Sequence, residues 1–102
     1  MVMLEFSMSP MDKGESLSKY VSEIIDYIDK SGVTYKLTPM GTILEGEWDD
    51  VMDVVSGCYG VMSESCDRIS LNLKADIRKG TGSRLESKIQ AVEGRLKREV
   101  KK

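Results

Sequence analysis

Residues 68–78, Arg-Ile-Ser-Leu-Asn-Leu-Lys-Ala-Asp-Ile-Arg, alternate without a break. Ile69, Leu71, Leu73, Ala75 and Ile77 fall on one side, and Ser70, Asn72, Lys74, Asp76 and Arg78 on the other. Successive side chains of an extended chain point to opposite faces, so this period of two predicts a long strand with one apolar and one polar face. Such a strand is stable only inside a sheet whose apolar face is covered. The rest of the chain must therefore supply both neighbours and cover.

The remaining patterns do this in order. Residues 2–8 place Val2, Leu4, Phe6 and Met8 opposite Met3, Glu5 and Ser7, which predicts a first strand. From Glu15 to Ser31, Leu17, Tyr20, Val21, Ile24, Ile25 and Ile28 recur at helical spacing, and Gly32 supplies the stop. Val33, Tyr35 and Leu37 alternate with Thr34, Lys36 and Thr38; after Pro39-Met40-Gly41 the alternation resumes over residues 42–47. These read as two strands joined by a turn. Val51, Val54, Val55, Cys58 and Met62 form a second helical stripe from Trp48 or Asp49 to about Ser63, which Gly57 and Gly60 weaken. Beyond the long strand, Lys79-Gly80-Thr81-Gly82 breaks the pattern and Ser83-Arg84-Leu85-Glu86 matches a capping box. A third helix is expected over about 83–100.

The order β-α-β-β-α-β, with both helices needing one face covered, is that of an α+β ferredoxin-like plait with an additional C-terminal helix. At 102 residues the chain is read as one such domain. Helices on one face leave the other bare, carrying Met3, Glu5, Ser7, Thr34, Lys36, Thr38, Ile43, Glu45, Glu47 and the polar row of the last strand. Leu85, Ile89, Val92, Leu96 and Val100 form a narrow stripe on the last helix, and an intersubunit contact is favoured over docking on its own domain. The chain is thus expected to self-associate, as a dimer or tetramer.

Composition narrows the chemistry. Fifteen basic and seventeen acidic residues leave a net charge of -2, no basis for attraction to nucleic acid or anionic lipid. No apolar run approaches the roughly 20 residues needed to span a bilayer, and the first ten residues lack the basic start of a secretory signal. The expected setting is cytoplasmic. The chain has no histidine, which removes Ser-His-Asp and Cys-His catalysis and the commonest general base near neutral pH. Cys58 and Cys66 form no CxxC pair, so two small buried thiols are expected; the seven methionines are scattered as filler. No metal ligands, cofactor or catalytic residues are assigned.

What remains is a set of polar groups. Glu45 and Glu47 share one face of the third strand, which reads as solvated or ion-paired sheet charge, or as one glutamate at the sheet edge or in a subunit interface pairing with a cationic or amino-heterocyclic ligand. Trp48 reads as a core plug or, with Tyr35, as a stacking surface. Residues 80–83 are a glycine linker or a weak anion nest.

SMSP at residues 7–10, YKLTPMGTILEGEWDDVMDVV at 35–55, RISLNLKADIR at 68–78 and KIQAV at 88–92 together resemble the thiamine-binding-protein family, also called UPF0045 or YkoF-like. The similarity spans nearly the whole chain, and P-M-G-T-x-x-E-G-E is its most specific piece. The resemblance implies a ferredoxin-like homo-oligomer and, for some members, recognition of thiamine or its hydroxymethylpyrimidine part; since no residue here positions a nucleophile or an activated water, binding without turnover is expected. It also implies a pocket formed by Met40, Gly41, Thr42 and Glu45, with Ser7, Met8, Asp76 and Arg78 as further candidates. In that reading Glu45 binds and Thr42 orients. A regular strand, however, puts Thr42 and Glu45 on opposite faces. An assembly module without a ligand is the alternative role.

Overall fold

A computed structural model describes residues 1–14 and 17–79. Six elements follow in the expected order: β1 (Val2–Pro10), α1 (Ser18–Ser31), β2 (Thr34–Thr38), β3 (Gly41–Gly46), α2 (Trp48–Ser63) and β4 (Ile69–Ile77). The strands form one antiparallel sheet ordered β2-β3-β1-β4. This is the ferredoxin-like plait, with β1 and β3 central. The third helix expected at 83–100 and the glycine stretch at 80–83 lie outside the described residues.

Local chemistry explains the boundaries. Gly32 ends α1 in the left-handed region at φ 81°, its N–H donating to the Asp29 carbonyl at 3.4 Å. Thr38 pairs with Gly41 across the two-residue turn Pro39-Met40. There the Thr38 hydroxyl donates to the Gly41 carbonyl at 2.8 Å and accepts from the Met40 N–H at 3.3 Å. α2 opens on Trp48 with Asp49 and Asp50 in its first turn, carboxylates placed at the positive end of the helix dipole.

The core forms where α1 and α2 pack on β1 and β3. Val2, Leu4, Phe6 and Met8 of β1 meet Leu44 of β3, Ile24 and Ile28 of α1, and Val51, Val54, Val55, Cys58 and Met62 of α2. Gly57 has a packing role that helix propensity alone hides: a Cβ there would fall 1.9 Å from Tyr27 Oη, so the bare backbone is what lets the tyrosine ring lie on α2. Both cysteines are free and buried. Burial pushes the Cys58 thiol up to about 11, which keeps it protonated and unreactive near neutral pH.

Two expectations are modified. The apolar row of β4 does face the helix side, opposite Val2, Leu4, Phe6 and Met8, but only Ile69 packs against the core. Leu71, Leu73 and Ile77 are 45%, 43% and 61% exposed. The helices sit over β1 and β3, so the plait of the described residues does not cover its own edge strand. Trp48 is 49% exposed and therefore no core plug: it opens α2 on the solvent side, and the buried stripe of that helix begins at Val51.

Candidate functional site

β1 is longer than the strand read from the sequence, and that extra length makes a crevice. Its pairing with β3 runs from Val2↔Gly46 to Phe6↔Thr42 and stops, whereas its pairing with β4 continues to Pro10↔Ile69. The chain leaves β3 at Gly41 into the β2–β3 turn. Ser7 to Pro10 therefore run on with β4 on one side and, among the described residues, no strand on the other. α1 closes the crevice from above.

The result is a cavity of about 210 Å³. Its floor is Phe6, Ser7, Met8 and Ser9 of β1, its end wall is Thr38 to Thr42, and its roof is Val21, Ile24 and Ile25 of α1, with Leu37 beside the turn. Met40, 83% exposed, stands at the rim. Among the described residues, none that lines the cavity is charged. Thr42 is buried on the helix face of β3, and among the described residues its hydroxyl has no hydrogen-bond partner. Gly41 is fixed by close approach: a Cβ would sit 2.8 Å from the Phe6 carbonyl oxygen.

Five of the eight residues singled out in the sequence, Ser7, Met8, Met40, Gly41 and Thr42, line this cavity. Glu45, Asp76 and Arg78 do not. The register is continuous through β3, with Leu37↔Thr42 and Thr34↔Glu45 on one side, so no bulge turns Glu45 to join Thr42. Glu45 is buried on the opposite face, and Met3 stands between it and Asp76, paired with both. Asp76 lines a shallow groove there with Met3, Glu5, Ile43 and Lys74, and its carboxylate lies 3.8 Å from Arg78 Nε. Glu47 holds the N-cap position of α2 without a side-chain capping bond, and its carboxylate lies 3.9 Å from the N-terminal ammonium. The hydroxyl of Tyr35 donates to Asp29 at 3.0 Å, and this bond holds its pKa above the ordinary phenol value.

Sequence reasoning missed the other eight lining residues: Phe6 and Ser9 of β1, Val21, Ile24 and Ile25 of α1, and Leu37, Thr38 and Pro39 at the turn. Helical spacing identified Val21 and Ile25 as apolar positions. Nothing in that spacing distinguishes a residue over a filled core from one over a gap.

The described residues thus form a ferredoxin-like plait with a crevice of apolar walls and a few converging polar groups, the kind of concavity in which small-molecule sites are usually built. The chain belongs to the thiamine-binding protein family, whose profile it matches over residues 4–93. A UPF0045 protein of Methanocaldococcus jannaschii is 33% identical over 91 residues, covering 89% of this chain and 91% of the relative. A UPF0045 protein of Mycobacterium bovis is 32% identical over 98 residues, covering 95% and 96%. The solved structure of the M. jannaschii protein superposes with a TM-score of 0.81 over 89% of this chain and 94% of its own. A candidate thiamine biosynthesis/salvage protein of Thermotoga maritima, 25% identical, superposes with a TM-score of 0.78 over 89% and 97%.

Proposed function

We propose that the protein is a non-catalytic cytosolic homo-oligomer that binds thiamine or its hydroxymethylpyrimidine part, with the pyrimidine ring in the crevice between β1, the β2–β3 turn and α1. The observation that carries this reading is the cavity, uncharged among its described lining residues, with Thr42 in its end wall and no hydrogen bond from the Thr42 hydroxyl to any described residue. At about 210 Å³ it is smaller than the roughly 300–1,000 Å³ of pockets that enclose drug-sized ligands. That size suits one ring. A thiazolium would extend past Met40 toward solvent, because a cation gains nothing from an uncharged interior and loses hydration there. The chain has no histidine, and the cavity offers no nucleophile with an adjacent base, which supports binding without turnover.

Isothermal titration with hydroxymethylpyrimidine tests the site. Thr42→Val keeps the shape and removes the hydroxyl, and is expected to weaken binding by about tenfold, the loss of one buried hydrogen bond. Glu45→Gln, on the other sheet face, is expected to leave affinity unchanged. The reverse pattern would move the site to the groove around Met3.

Self-association is supported by β4, an edge strand with three large apolar residues exposed on its helix face. Leu73→Lys places a charge in the middle of that row. We expect a lower mass by light scattering with the fold intact by circular dichroism. An unchanged mass would remove this face from the interface. This row also favours the alternative role, an assembly module, should no heterocycle bind.

A further inference from the structure

The floor of the cavity contains main-chain groups that the sheet leaves unused. Along an antiparallel strand, successive residues turn their N–H and C=O groups to opposite neighbours. In β1 the odd residues serve β4: Arg78 N–H donates to the Met1 carbonyl at 3.1 Å, and Met11 N–H donates to the Arg68 carbonyl at 2.7 Å. The even residues therefore face β3, in agreement with the Phe6 carbonyl lying against Gly41. Met8 is the next even residue after Phe6, and β3 has already ended there. Its N–H and C=O point into the crevice, and among the described residues neither has a partner. Met8 itself is only 6% exposed. Buried main-chain groups in this position require a partner, which is water in the empty site and a ligand in the filled one.

The other end of the edge is closed. Pro10, the following even residue, has no N–H, so Met8 supplies the one β1 donor on this side beyond Phe6. A peptide strand adding to the edge would find a single pairing position before the proline, too little for a ladder. A planar ring with an acceptor beside a donor satisfies both groups of Met8 at once.

We infer that the main chain of Met8 reads the ligand, its N–H donating to a ring nitrogen and its C=O accepting from the adjacent exocyclic amine, so that the site selects amino-substituted nitrogen heterocycles over rings lacking the amine. This rests on the crevice being the pyrimidine site. It adds the element that sets specificity, which no side chain in the lining provides: Thr42 both donates and accepts, and so discriminates poorly.

Titrating the ¹⁵N-labelled full chain with hydroxymethylpyrimidine tests the inference. The Met8 amide proton should show the largest downfield shift in β1, and its exchange with solvent should slow about tenfold or more. The analogue lacking the exocyclic amine should bind about tenfold or more weakly, because the Met8 carbonyl is then left buried and unpaired. Replacing the Ser7–Met8 amide by an ester removes the donor and keeps every side chain, and should weaken binding to a similar degree. If the pyrimidine binds and Thr42→Val weakens it, but the Met8 amide stays put and the two rings bind alike, the inference is overturned and the site stands. If neither ring binds, the proposed function itself fails, and this specificity with it.

Discussion

Gly41→Ala is expected to lower stability by about 1–3 kcal/mol, the usual cost of forcing an extra methyl into a packed position, and to weaken pyrimidine binding by about tenfold or more. The new Cβ would lie 2.8 Å from the Phe6 carbonyl oxygen. Neither atom can yield cheaply. Gly41 is held by its pairing with Thr38 and by the Thr38 hydroxyl on its carbonyl, and Phe6 is held by its pairings with Thr42 and Leu73. Relief requires β3 to move away from β1 at the last rung before the crevice, which displaces Thr42 and the turn. Urea unfolding and titration calorimetry on the same preparation separate the two effects. Wild-type affinity in a destabilised protein would show that the end wall does not contact the ligand, and unchanged stability would show that the rung is looser than its geometry.

Leu4→Ala is expected to be the most damaging substitution for the fold, at about 2–5 kcal/mol. Leu4 has no exposed surface, lies on a central strand between Leu44 and Ala75, and sits in the layer that both helices cover. Its neighbours belong to a sheet that cannot collapse onto the vacated volume. Against the roughly 5–15 kcal/mol that small domains possess, this leaves the protein close to unfolding at physiological temperature. The midpoint of urea unfolding should fall with its slope unchanged. A cost below about 1 kcal/mol would mean that the core repacks around the gap, in the manner of volume-conserving exchanges.

The contrast between these two positions shows what was legible. Leu4 is identifiable as core from alternation alone, because period two fixes which side chains share a face. Gly41 reads in the sequence as a turn glycine, yet the structure uses it for close approach to Phe6. That distance depends on how two strands far apart in the chain are registered. The same holds for Gly57, which propensity marks as a weakness of α2 and packing turns into the seat of Tyr27.

The site divides in the same way. Opposite facing of Thr42 and Glu45 follows from their spacing, and the continuous register of β3 leaves nothing to reverse it. The crevice does not follow from spacing. It exists because β1 extends to Pro10 beside β4 but pairs with β3 only as far as Phe6, a mismatch of strand lengths that no single strand's pattern contains. Likewise the row Leu71, Leu73 and Ile77 has the periodicity of a buried face and is exposed, since exposure depends on where the helices lie.

By itself, then, the sequence determined the kinds and order of the described elements and the face each side chain takes. These are properties of local geometry and composition, which act over a few residues. The tertiary structure alone decided which faces are covered, where two backbones touch, and which main-chain groups remain unpaired at Met8. Those depend on register and relative length between segments distant in the chain, and a hydrogen-bonding group becomes available for recognition only when its neighbouring strand stops short.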